Sequence, residues 1–303
     1  MVSPEDLPAA VERVFPGALL RAARRLTGGV SADVHALDLE WPDGPRRTVV
    51  LRRHRAEWKA RHGQVAQMEY EVLRALHTAG LPVPEPLLLD TSGALLPEPF
   101  LVMEFVEGSI DVPADRLDAS LDLMAAALLR VHSLPPGKLP DLPPRTDPLP
   151  ELFDYLSATG QNLPLREHLS RCTDSAYEGE PVLLHGDYWP GNLLWRQGRL
   201  AAILDWEDAA SGDPWSDVAS CRLELLWKYG SAAMNRFTAA YARERAIDHR
   251  RLALWQLFCA SAAIHFMGAW GLEPAREAEM RKTALVFAGE SANILLTSGA
   301  ATI

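Results

Sequence analysis

His185-Gly186-Asp187-Tyr188-Trp189-Pro190-Gly191-Asn192-Leu193-Leu194-Trp195, then a turn at Gln197-Gly198-Arg199, then Leu200-Ala201-Ala202-Ile203-Leu204-Asp205-Trp206-Glu207, is the stretch on which the reading of this chain turns. The apolar run Pro181-Val182-Leu183-Leu184 leads into it. The pattern predicts a strand, a loop bearing Asp187 and Asn192, and a hairpin whose far end delivers Asp205. Two carboxylates and an amide can then converge on one point. Singly, each has an ordinary alternative, since Asp and Asn cap turns and end strands for local reasons. Jointly they suit phosphoryl transfer. A triphosphate needs its charge neutralised, and magnesium prefers carboxylate and amide oxygens while keeping some waters. In that reading Asn192 and Asp205 hold Mg²⁺. Asp187 orients an attacking hydroxyl and takes its proton.

Outward from this stretch the chain changes character twice. The first hundred residues read as strands with one helix between them. Thr27-Gly28-Gly29-Val30-Ser31 interrupts a strand pair, Leu37, Leu39 and Trp41 alternate with Asp38 and Glu40, and Thr48 to Arg52 forms the next strand. Between Glu57 and Ala79 apolar residues recur at helical spacing until Pro82, Pro84 and Pro86 forbid helix. Short strands follow at Leu87 to Leu89 and Phe100 to Val106. Beyond Gly108 the pattern is helical, with the stripe Leu117, Leu121, Met124, Leu128 and Val131, a proline-rich connector from Pro135 to Pro150, and helices from Ser216 to Leu296.

Composition narrows the classes. The chain has 303 residues, 48% hydrophobic and 23% charged, enough for about two compact domains and against wholesale disorder. A net charge of −10 opposes binding to nucleic acid phosphates and slightly favours a cationic small molecule. Cys172, Cys221 and Cys259 are scattered and odd in number, without zinc-site spacing, which fits a reducing cytoplasm. The start Met1-Val2-Ser3-Pro4-Glu5-Asp6 has no secretory pattern, and the run Cys259 to Trp270 is far short of the roughly 20 residues that span a bilayer. A cytoplasmic protein without a membrane segment is expected; nothing in the sequence bears on its oligomeric state.

His-Gly-Asp, four residues, Asn, and later Leu-Asp-Trp-Glu resemble the central segment of the aminoglycoside phosphotransferases, small-molecule kinases related to choline kinase and the protein kinases. The resemblance covers nearly the whole chain. It implies an α+β, bilobal protein-kinase-like fold: an N-terminal lobe, residues 1–106, with an antiparallel sheet plus helix and ending in a hinge, and a larger, mainly helical catalytic lobe, residues 107–303. It implies ATP (or GTP) and Mg²⁺ as cofactors. Gly28, Gly29 and Ser31 would cover the phosphates. Arg52 stands where the family has lysine, a change of donor geometry as well as of residue. Arg53 and Arg55 are alternative cations, although Arg53 should point to the opposite strand face by alternation. Glu69, in Glu69-Tyr70-Glu71-Val72-Leu73, would pair with the cation. Met103 would line the adenine pocket, with backbone groups of Glu104 and Val106 binding the base. In Gly212-Asp213-Pro214-Trp215-Ser216-Asp217, Asp213 would start a helix, and Asp217 would brace the catalytic loop near His185.

Trp189, Glu207, Asp208 and Trp215, with Glu224, Trp255, His265 and Trp270, are candidates to line the acceptor site, since aromatic faces and carboxylates suit an amine-bearing or polycyclic alcohol. Buried tryptophans more often simply pack. The acceptor is left open among an aminoglycoside, another hydroxylated antibiotic, and a metabolic amino alcohol or sugar. A nucleotide-binding pseudokinase is the competing class. A protein kinase has too little room between Asp205 and Asp217 for a peptide-docking segment, and no GxxxxGK[ST] pattern supports a Walker-type ATPase.

Overall fold

A computed structural model describes residues 7–26, 32–42, 44, 46–54, 59–159, 163–170 and 175–297. The fold is α+β, and the chain divides into two compact units. The first runs through Gly108 and takes in Leu139–Asp141 and Ala201–Glu207; the second is Ser109–Lys138, Leu142–Leu200 and Asp208–Ile303. The boundary thus falls two residues beyond Val106. Asp205 and Glu207 belong to the first unit, not the second as the sequence suggested. The reason is local bonding: the Ile203 N–H donates to the Pro82 carbonyl at 2.8 Å, and the following residues engage Arg52.

The first unit begins with a helix, α1 (Leu7–Val14), before β1 (Leu19–Arg25), β2 (Ala32–Glu40) and β3 (Arg46–His54). Then come α2 (Lys59–Thr78), β4 (Pro86–Asp90) and β5 (Phe100–Glu104). The five strands form one antiparallel sheet in the order β1-β2-β3-β5-β4. Strand periodicity separates its faces. Leu37, Leu39, Val49, Leu51, Phe100 and Val102 share one buried cluster, to which Val11 of α1 adds. Val50, Arg52 and His54 of β3 alternate out of it, and α2 packs on β4 and β5. β1 is an edge strand with mostly exposed residues, and Arg21, Arg24 and Arg25 charge it against pairing with another chain. β5 stops at Glu104 rather than Val106, because its register with β3 ends at Val49↔Glu104.

The second unit is mainly helical: α3 (Leu117–His132), α4 (Leu149–Thr159), α5 (Leu163–Ser170), α6 (Trp215–Tyr229), α7 (Ser231–Tyr241), α8 (His249–Phe266) and α9 (Pro274–Thr297). Between α3 and α6 the chain also forms β6 (Pro144–Arg145), β7 (Val182–Leu184), β8 (Leu193–Arg196), β9 (Arg199–Ile203) and β10 (Ala210–Gly212). β6, β10 and β7 make a three-stranded sheet with β10 in the middle, so the proline-rich connector is ordered by strand pairing. β8 and β9 form the expected hairpin. Its turn residues Gln197 and Gly198 have φ of 52° and 75°, the left-handed pair that two-residue type I′ loops require. The segment His249–Ala269 is long and apolar enough to cross a membrane by length and composition, and α4, α6 and α9 pack against α8.

Candidate active site

In the second unit, β7 carries the chain into the His185–Asn192 loop. The positions before it, Leu183 and Leu184, are fully buried, so the loop starts from a fixed point. Gly186 then turns with φ of 86°, and a Cβ there would lie 2.0 Å from the Asp208 carbonyl oxygen. Only glycine serves both demands. At Gly191 the end of the Trp189 indole lies 2.2 Å from where a Cβ would sit, so any larger residue would displace that ring.

Hydrogen bonds complete the loop. Asp217, in the first turn of α6, accepts from the His185 N–H at 2.7 Å through Oδ2 and from the Gly186 N–H at 2.9 Å through Oδ1. His132 Nε2 lies 3.2 Å from the same Oδ2, and His132 Nδ1 is 2.7 Å from the Tyr241 hydroxyl. Burial alone would raise the Asp217 pKa. The His132 hydrogen bond, the nearby His132 and His185 and the His185 N–H outweigh it and hold the carboxyl below its ordinary value. His185 Nδ1 accepts from the Asp187 N–H at 3.2 Å, which fixes that nitrogen as the unprotonated one. Asn192 Nδ2 donates to the Asp187 carbonyl at 2.9 Å and to Asp187 Oδ2 at 3.0 Å. Asp187 Oδ1 makes no hydrogen bond with a described residue. The half-buried carboxylate is therefore held by one oxygen and presents the other.

One further carboxyl on α6 senses this loop. Burial, with the Asp187 charge adding to it, pushes Glu224 up to about 7, while Arg276 and Lys228 pull the other way. Behind α6, Asp213 is fully buried. Its Oδ1 accepts from the Trp215 N–H at 3.0 Å, and its Oδ2 accepts from Arg251 Nε at 2.8 Å and Trp255 Nε1 at 2.6 Å.

In the first unit, Arg52 lies at the centre of a buried charge cluster. Its Nη2 donates to Asp205 Oδ1 and to Glu207 Oε2, each at 2.7 Å. Its Nε is 3.2 Å from Glu69 Oε2 on α2, at ion-pair distance but off the hydrogen-bond line. Burial works against the guanidinium charge, yet Glu69, Asp205 and Glu207 together raise its pKa. Burial likewise opposes the Glu69 charge, and Arg52, His54 and the Trp206 backbone overcome it to lower that pKa. Arg52 Nη1 makes no hydrogen bond with a described residue. Arg53 uses the other strand face, pairing with Asp33 at 2.9 Å and Glu98 at 3.1 Å. Asp205 itself has φ of 66°, a left-handed backbone that Asp tolerates better than most residues. The fully buried Trp206 beside it donates from Nε1 to the Ile203 carbonyl at 3.1 Å.

The segment after β5 has a backbone open to a ligand. The Glu104 N–H is taken by the Glu85 carbonyl at 2.8 Å, whereas Val106 makes no hydrogen bond with a described residue through either backbone group. Met103 is buried just before it.

Gly28, Gly29, Ser31 and Arg55 lie outside the described residues. Two of the acceptor-lining candidates are engaged elsewhere. Trp215 is 4% exposed and packs edge-on against Tyr241, which makes it core; Glu207 is committed to Arg52. Trp255 is likewise buried. Trp189 is half-buried, and Asp208, His265 and Trp270 are exposed. The sequence reading missed His132, which steadies Asp217, and His54, whose place two residues after Arg52 on one strand put it on the same face.

Could these residues hold magnesium? Both Asn192 hydrogen bonds use its amide nitrogen, so neither consumes the side-chain oxygen, and Arg52 engages one oxygen of Asp205. An amide oxygen and a carboxylate are the hard donors magnesium takes alongside phosphate and water. No group of three or more His, Cys, Asp or Glu among the described residues is placed to hold a metal ion as an all-protein cage. Taken singly, the Asn192 amide and the Asp205 carboxylate each have the donor chemistry of such an ion.

Comparisons with known proteins supply the family and the fold. The chain matches the model of the phosphotransferase enzyme family over residues 22–255. It is 27% identical over 236 residues to acyl-CoA dehydrogenase family member 11 of Rattus norvegicus, covering 66% of this chain and 30% of that protein. The chain spans about a third or less of the length of the curated relatives it matches. Among solved structures it is similar to a putative aminoglycoside phosphotransferase from Ralstonia eutropha, with a TM-score of 0.70, 18% identity and 97% and 98% of the two chains covered. It is also similar to a thermostable aminoglycoside phosphotransferase variant in ternary complex with AMP-PNP and hygromycin B, with a TM-score of 0.64, 17% identity and 94% and 98% covered. The fold is that of these kinase-like structures, and with the family model spanning most of its length the chain belongs to the phosphotransferase enzyme family.

Proposed function

We propose that this protein transfers the γ-phosphoryl group of ATP or GTP to a hydroxyl of a small molecule. The observation that carries the reading is Asp187, whose Oδ2 is fixed by Asn192 while Oδ1 stays uncommitted. Oδ1 accepts the hydrogen bond of the acceptor hydroxyl, aligns its oxygen with the γ-phosphorus, and takes its proton as the P–O bond forms. The nucleoside diphosphate leaves. Asn192 and Asp205 would hold Mg²⁺, which would supply the positive charge that offsets the phosphates and the leaving oxygen. His185 and Asp217 hold the loop so that Asp187 needs no reorganisation in the transition state.

Arg52 is fully consistent with this role in place of lysine. An ammonium has three donors on one atom; the guanidinium sets Nε beside Glu69, donates from Nη2 to Asp205 and Glu207, and leaves Nη1 for a phosphate. Arg52→Lys therefore cannot grip the three carboxylates and reach a phosphate together. The expected result is a nucleotide KM raised about tenfold, with the acceptor KM unchanged, in steady-state assays varying each substrate in turn. The Val106 backbone supports adenine or guanine binding by the same segment that carries Met103.

The acceptor is best sought among metabolic alcohols, since the curated relatives carry names from acyl-CoA metabolism and the aminoglycoside phosphotransferases match in fold at 17–18% identity. A panel of amino alcohols, sugars, hydroxylated acyl compounds and aminoglycosides, assayed with γ-labelled ATP and GTP, tests the function. Label appearing in one acceptor class supports it. Binding of Mg·ATP with no transfer to any member favours an interaction module that only binds nucleotide.

A further inference from the structure

His54 is the last residue of β3, two positions after Arg52 and on the same face of the strand. It is 3% exposed. Both ring nitrogens lie beside carboxylates that Arg52 also touches: Nε2 is 3.2 Å from Glu69 Oε2, off the hydrogen-bond line as Arg52 Nε is, and Nδ1 is 3.9 Å from Glu207 Oε2. The four side chains close a ring, Arg52–Glu69–His54–Glu207, with Asp205 attached at Arg52 Nη2.

We propose that His54 is a positioning residue of the phosphate-binding site, holding Glu69 and Glu207 in a ring around Arg52 so that Arg52 Nη1 stays turned to a nucleotide phosphate. This rests on the nucleotide reading above. The physical argument concerns what Glu69 does without its second neighbour. Glu69 is 1% exposed, and its contact with Arg52 runs through a single misaligned Nε. Without the imidazole, the buried carboxylate keeps only the Trp206 backbone and this misaligned contact, and a carboxylate beside a guanidinium gains most from a two-pronged grip. Loss of the imidazole leaves rotation of the guanidinium toward Glu69 as the nearest relief. Such rotation draws Nη1 into the acid cluster and away from the phosphates. His54 is thus placed to govern phosphate affinity while touching neither phosphate nor base.

Equilibrium binding of ATP and of adenosine to His54→Leu and His54→Gln, with GTP and guanosine run in parallel, tests this. His54→Leu should weaken triphosphate binding about tenfold and leave nucleoside binding unchanged, since the base contacts lie elsewhere. His54→Gln keeps polar groups against both carboxylates and should stay within about threefold of the unaltered protein. Should His54→Leu fail to fold, His54→Asn, too short to meet Glu69 and Glu207 together, carries the same expectation. Triphosphate affinity unchanged in the folded apolar or short variant overturns the role of His54, as does a parallel loss of triphosphate and nucleoside binding. An unaltered protein that binds no nucleoside triphosphate overturns the nucleotide reading and the proposal with it.

Discussion

Asp187→Asn should reduce phosphoryl transfer by about two to four orders of magnitude while nucleotide binding and thermal stability stay close to those of the unaltered protein. The substitution preserves shape. Its amide oxygen can still accept from Asn192 Nδ2, and the Asp187 carbonyl and N–H keep their partners in Asn192 and His185. What is lost is the capacity to take a proton, so the deficit belongs to kcat rather than to the nucleotide KM. Single-turnover transfer into the best acceptor is the measurement, and a rate within threefold of the unaltered protein, about 0.7 kcal/mol on the tenfold-per-1.4 scale, removes Asp187 from the chemistry. A second readout follows from charge alone. The Asp187 carboxylate helps push Glu224 up to about 7, so removing that charge should lower the Glu224 midpoint in a side-chain titration by NMR.

Asp213→Ala should destabilise the protein by about 3–5 kcal/mol, the range for removing one partner of a buried ion pair. Asp213 is fully buried and Arg251 nearly so, with Arg251 Nη2 at 2.6 Å from the carboxylate. Arg251 also donates from Nη1 to the Ser175 carbonyl at 2.6 Å and from Nη2 to the Thr146 carbonyl at 3.0 Å, so it cannot leave for solvent without breaking those bonds. The alanine variant therefore keeps a guanidinium without its counter-charge and strands the Trp255 indole N–H. Urea unfolding followed by fluorescence checks it; a midpoint unmoved from that of the unaltered protein would show that Arg251 is satisfied without Asp213.

Much of this arrangement could be read from the chain because it is local. Two-residue alternation along β3 separated Arg52 from Arg53, and the family resemblance of the α2 segment singled out Glu69 over Glu71, which instead accepts from Gln67. The loop and hairpin from His185 to Asp205 announce themselves through glycine, proline and apolar runs within twenty-one residues. The missed features depend on partners remote in sequence. β6 is two residues of a proline-rich connector, and it becomes a strand only because β10, more than sixty residues later, runs beside it. α1 is short and opens Leu7-Pro8, too few residues for a periodic signal, yet Val11 joins the first unit's core. His132 is one polar position in an apolar stripe, and only the fold brings Asp217 and Tyr241 to its two nitrogens. Trp215 illustrates the converse error: an aromatic residue beside a motif looks like a binding wall, whereas burial against Tyr241 gives it a packing duty.

The acid that grips the amides of His185 and Gly186 is itself lodged among α3, α6 and α7 through His132 and Tyr241. The loop's rigidity is therefore borrowed from the helical interior rather than made on the spot. Damage deep in that interior, far from any reacting atom, would surface first as a wandering backbone at residues 185–187, and an enzyme crippled this way could look well folded to every global probe.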